Sequence, residues 1–157
     1  MNETTVTLVG NAATEVKYRE TPTGIPVASF RLAVTARRWD RERNGWVDAQ
    51  TSFYTVWSWR GLAGNVATSV GRGDPLVVQG RIRVREWEKD GQRQTTVEID
   101  AGAVGHDLSR GTSAFRRGAR AARPPQSEQS EFGAELEEAA PGVEVVPDVL
   151  PEPAGVG

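Results

Sequence analysis

A hydrophobic period of two residues, broken once, constrains this chain more than any other feature. From Val27 to Trp39, residues Ala28, Phe30, Leu32, Val34 and Ala36 fall on one side and Arg31, Arg37 and Trp39 on the other. Successive side chains of an extended strand point to opposite faces, so the pattern predicts a strand with one buried face. Thr5–Gly10 reads as a shorter strand. Thr51–Trp59, rich in aromatic and β-branched residues, reads as another. Leu76–Trp87 and Gln94–Asp100 flank Asp90-Gly91, a dipeptide that tolerates the left-handed backbone of a tight hairpin turn. Asn44-Gly45 marks a further turn. The break lies before Leu76. There Leu62, Val66 and Val70 recur every four residues ahead of Gly71, as in a short helix with a glycine stop. Three strands, a helix and two strands predict an all-β fold of the OB type, a five-stranded Greek-key barrel with its helix between strands three and four.

A chain of 157 residues has room for one such domain and an appendage. Residues 1–107 read as the folded domain and residues 108–157 as a disordered tail, Arg/Gly-rich and then acidic and Pro-rich. Six of the nine prolines fall in that tail, with few large apolar residues to offset the entropy of ordering it. Its first part has the option of a short terminal strand or hook. Charge divides at nearly the same place. Residues 1–123 carry all 19 basic residues and 13 acids, a net +6, while residues 124–157 carry eight acids and no base. A basic body with an acidic tail points to a polyanionic partner, or to solubility alone.

Several chemistries are excluded or unsupported. The chain has no cysteine, which removes disulfides, thiolate catalysis and cysteine-based zinc sites. One histidine, His106, gives no His-His metal pair and reads as a chain-end residue without a special role. Glu86, Glu88 and Asp90 surround a turn among Arg85, Lys89 and Arg93, which suits exposed ion pairing better than a metal site. No metal, no cofactor and no enzymatic activity are expected. No apolar run approaches the roughly 20 residues that span a bilayer. The first residues also lack the pattern of a secretory signal, so the expectation is a soluble cytoplasmic protein with no membrane partner.

The segment Gln79–Trp87 carries the functional signal. Counted by twos, Arg81, Arg83, Arg85 and Trp87 share one face while Val78, Ile82 and Val84 share the other. Three guanidinium groups in a row are costly to bury, so their face meets water or an anion. Arg31, Arg37 and Trp39 repeat the device, and Phe53, Trp57 and Trp59 alternate on a third strand. Rings interleaved with cations suit single-stranded nucleic acid, whose bases stack while the cations follow the phosphates. The same pattern also fits a sheet surface closed by cation–π contacts or covered by a subunit. Trp57 reads as core or interface. Trp46, beside the Asn44-Gly45 turn with Arg37, Arg38, Arg41 and Arg43 nearby, fits either a strand-gripping tip or a solvated hairpin. Arg110, Arg116, Arg117, Arg120 and Arg123 are placed to add weak phosphate contacts.

Across roughly residues 5–107 the chain resembles the bacterial single-stranded DNA-binding protein family. The matching segments are Val6–Asn11, Val27–Val34, Gln50–Phe53, Gly71-Arg72-Gly73, Gln79–Trp87 and Thr95–Ile99, in that order and spacing. The resemblance implies sequence-nonspecific binding and protection of single-stranded DNA in replication, recombination and repair. It places the base-stacking positions on Trp39, Phe53, Trp59 and Trp87, which joins them to the cations Arg31, Arg37, Arg81, Arg83 and Arg85. It further implies a nucleoid-associated homotetramer with subunit contacts at Thr7 and Val9 on the first strand, and with Tyr54 as an interface or core residue. Family members commonly end in an acidic tip closing with proline and phenylalanine, which recruits replication and repair proteins. This chain ends Pro151-Glu152-Pro153-Ala154-Gly155-Val156-Gly157, which sets that recruitment in doubt and fits a specialised paralogue. The alternative is a single-stranded RNA-binding or translation-linked OB-fold protein.

Overall fold

In a computed structural model, which describes residues 2–118, the alternating segments become strands longer than the alternation marks. They are β1 (Thr5–Ala12), β2 (Lys17–Glu20), β3 (Pro26–Asp40), β4 (Gly45–Trp59), β5 (Pro75–Lys89) and β6 (Gln92–His106), with helix α1 (Arg60–Ser69) between β4 and β5. They form one sheet in the order β1-β5-β6-β4-β3-β2. Contact of β1 with β3, Asn11 opposite Ala33 and Ala12 opposite Leu32, closes it into a barrel. The paired strands are antiparallel except β4 and β6, which run parallel from Thr55–Glu98 to Trp57–Asp100. The five expected strands are thus the five barrel strands of an OB-fold. β2 is an addition that pairs with the start of β3, from Lys17 opposite Ser29 to Glu20 opposite Pro26.

The inward residues follow the predicted phase. Phe30 and Leu32 of β3, Val56 of β4, Leu76 and Val78 of β5 and Ile99 of β6 are buried together. Val6 and Leu8 of β1 pack against them. Ala63 and Val66 of α1 join the same cluster, so the helix buries the face that its four-residue period marked. The backbone is extended at Trp59 and left-handed at Arg60, with φ 56, which turns the chain from β4 into α1. At the other end the amide of Gly71 donates to Asp74 Oδ2 at 2.8 Å and leads the chain off the helix.

Two local devices shape the long strands. Asp90 and Gly91 both take positive φ, as a two-residue hairpin turn requires. In β5 the register with β6 shifts between Gln79 and Gly80. A Cβ on Gly80 would collide with the backbone of Asp100 and Ala101, so only glycine lets the two strands cross this closely.

Beyond β6 the chain turns at Asp107, whose carboxylate accepts from the Ser109 hydroxyl at 2.7 Å and its amide at 3.0 Å. It then continues without regular structure to Gly118. His106 is not a passive chain end. Its Nδ1 lies 2.8 Å from Ser113 Oγ and its Nε2 3.3 Å from Asp74 Oδ2, so it ties this segment to the loop between α1 and β5. The described residues belong to one compact unit. The acidic stretch, and Arg120 and Arg123 before it, lie outside the described residues, as does most of the predicted disordered tail. Among the described residues no helix is long and apolar enough to cross a membrane.

Candidate nucleic-acid interface

Strand registry decides which side chains share a face. Phe30, Val56, Ile99 and Ile82 are mutual partners across β3, β4, β6 and β5, and they point into the barrel. Their neighbours along each strand point out. One outward row therefore contains Arg31, Thr55, Glu98 and Arg83, and the next contains Ser29, Trp57, Asp100 and Arg81. Phe53 and Trp59 keep the same phase on β4, as do Arg85 and Trp87 on β5. Between Thr35 and Arg37 the β3–β4 register shifts, with Thr35 opposite Thr51 and Arg37 opposite Asp48. The extra residue belongs to β4, so β3 alternates without a break and Arg37 and Trp39 stay in phase with Arg31. All nine predicted binding residues thus lie on one outer surface of the sheet.

The rings differ in access. Trp39 is 49% exposed and Phe53 39%, while Trp59 and Trp87 are half-buried. Trp57 points the same way but is buried, with its Nε1 enclosed and lacking a hydrogen-bond partner. It offers no open plane. The Arg31 guanidinium carbon sits 5.4 Å from the Phe53 ring centroid, within cation–π range.

The arginine ladder on β5 meets anions, and they belong to the protein. Arg81 donates to Glu3 at 2.8 Å and to Asp100 at 2.6 Å. Arg83 and Arg85 share Glu98, at 3.5 and 4.0 Å. The hydrogen bond to Glu3 has the largest effect on the Arg81 guanidinium and, with the weaker bond to Asp100 and the charges of both acids, outweighs desolvation and holds the group above its usual value. The three arginines stand against three carboxylates and the cluster is formally neutral. Sequence reading missed these acids, although Glu98 and Asp100 alternate on β6 in the same phase as the arginines on β5. Arg37 has a more exposed partner in Asp48, at 3.3 Å with both side chains largely open to solvent.

The predicted subunit-contact residues are found elsewhere. Thr7 and Val9 point outward from β1, opposite Gln79 and Val77, and Val9 is 54% exposed. Tyr54 is partly buried against the core and pairs with Leu32. Among the described residues no three His, Asp or Glu side chains converge as a metal site requires.

A sequence profile of the single-strand binding protein family matches residues 3–107, the whole barrel. The chain belongs to this family. Single-stranded DNA-binding protein 2 of Streptomyces avermitilis is 52% identical over 165 residues, covering 99% of each chain. Single-stranded DNA-binding protein 1 of Streptomyces coelicolor is 48% identical over 157 residues, covering 100% of both. Among solved structures, the small single-stranded DNA-binding protein from Streptomyces coelicolor superposes with a TM-score of 0.66 at 52% identity, over 71% of this chain and 100% of that one. The second single-stranded DNA-binding protein of Mycobacterium smegmatis gives 0.59 at 31% identity, over 74% and 100%.

Proposed function

We propose that this chain binds single-stranded DNA with little sequence preference, as a homotetramer, and shields exposed strands in replication, recombination and repair. One observation carries the reading: Trp39, Phe53, Trp59 and Trp87 share an outer sheet surface with Arg31, Arg37 and the β5 arginines. Every base has a flat face to stack, so rings of this kind bind without reading sequence, and unpaired strands expose those faces as duplexes do not. The curated relatives' names point the same way. Binding is non-catalytic, takes place on the nucleoid in the cytoplasm, and needs neither cofactor nor metal.

Assembly rests on a different surface. The outward face of β1 sets the exposed Val9 beside Val77 and Thr7 beside Gln79, an apolar pair next to a polar one that a second sheet can cover. Residues 1–107 act as the binding and oligomerisation domain.

Tryptophan fluorescence titrated with dT oligomers tests the reading. The expected result is quenching that saturates, with log affinity falling against log salt by about 0.7 per phosphate neutralised. Absence of quenching at low salt would overturn it. Tighter binding of rU than of dT at equal length would favour an RNA partner, and cleavage of labelled strand in magnesium would make the protein an enzyme.

A further inference from the structure

The β3–β4 hairpin extends past the barrel, and its tip carries an aromatic pair of which only Trp39 was assigned above. Trp39 and Trp46 are directly opposite in the β3–β4 register. Their ring centroids are 5.8 Å apart and their planes stand at 80°. Trp46 is the more open of the two, at 60% exposed against 49%. Two large rings left this open add little to a core, and an exposed edge-to-face pair is worth only about 0.5–1.5 kcal/mol beyond the area it buries.

The surroundings fix the pair and give it charge. Asp40 Oδ1 accepts from the amides of Glu42 and Arg43, at 2.9 and 3.3 Å, and Asn44 takes a positive φ, so the tip is a defined turn. Arg37 Nη2 reaches the Trp46 carbonyl at 3.4 Å, and Arg41 and Arg43 lie in the adjoining turn, Arg43 3.9 Å from Asp40. Because Trp39 lies in phase with Arg31, the pair opens on the same surface as the other rings.

We propose that Trp46 is a strand-binding residue in its own right, stacking a base next to the one on Trp39. The perpendicular planes have a consequence. Bases seated on Trp39 and Trp46 cannot remain stacked on each other, so the strand must bend between them. A strand with weak base–base stacking bends at least cost, and the tip therefore prefers thymine runs to adenine runs. This deepens the strand-binding reading above and rests on it.

The test uses the full chain with dT and dA oligomers of increasing length. W46A should weaken dT binding by roughly 5- to 150-fold, the range that loss of one stacked base implies. It should leave the salt slope unchanged and narrow the dT-over-dA preference, while W46F recovers most of the loss. The variants W39A and W39A/W46A separate stacking from support: a strand-binding Trp46 costs affinity in both backgrounds. Wild-type affinity in W46A, or no further loss when W46A is added to W39A, overturns the proposal and leaves strand binding intact. Failure of wild-type protein to bind dT overturns the parent reading itself.

Discussion

Glu98 is buried, yet it faces outward between Arg83 and Arg85, and it changes what those arginines can do. A guanidinium already paired to a carboxylate releases fewer counterions on binding phosphate than a free one. Replacing Glu98 with glutamine keeps the shape and removes the charge. E98Q should therefore tighten binding at low salt and steepen the salt slope by up to about 0.7, read from affinities across a salt series. R83A, by contrast, should flatten the slope by less than one phosphate's worth. Trp87→Ala belongs to the other component of binding. It should cost roughly 1–3 kcal/mol of affinity for dT and leave the slope where it was. The Arg81 cluster will not vary with pH near neutrality. A guanidinium held above its ordinary value keeps its charge through neutrality, and its contribution is lost on the alkaline side only as pH rises into strong alkali.

Gly80 and His106 show what the elements add. At Gly80 a side chain would meet the backbone of Asp100 and Ala101, which cannot rotate away. Gly80→Ala should destabilise the fold by about 1–3 kcal/mol in denaturant unfolding, as overpacked interiors do. The same substitution at Gly105, where nothing lies within 4 Å of an added Cβ, should cost less. His106 joins β6 to the loop after α1 and to the segment beyond, through Asp74 and Ser113. His106→Ala should make residues 108–118 more open to protease while strand affinity stays within about twofold, since loops few contacts hold open first. Strand β2 was not legible because Lys17-Tyr18-Arg19-Glu20 has no apolar alternation. It is ordered by the main chain of β3 and by the turn at Thr21, whose hydroxyl accepts from the Ile25 amide at 3.1 Å.

On the scale of the whole molecule, β5 serves both surfaces, with Val77 beside Val9 at its start and Arg81 to Trp87 further along. The rings and cations lie on β3, β4 and β5, whereas Val9 and Thr7 lie on β1. Charge placed on β1 should therefore break assembly before it touches the binding surface. Val9→Glu is expected to lower the mass in solution below that of a tetramer. The fall in affinity should then be largest for long oligomers, which span subunits, and small for short ones. Equal mass for Val9→Glu and wild type would remove β1 from the interface.

Hydrophobic period alone determined the five barrel strands, the helix that interrupts them and the face that each ring and arginine occupies, because side-chain direction in a strand is set by counting in twos. A bulge could have reversed that count, and the extra residue between Thr35 and Arg37's partners falls on β4, where it spares Trp39. Tertiary structure alone decided three things. Trp57 is sealed although it alternates with exposed rings, the arginines are neutralised by acids from β6 and from Glu3, and Trp46 stands across from Trp39. Each depends on which strands become neighbours, and pairing between distant segments is information that no local pattern of residues contains.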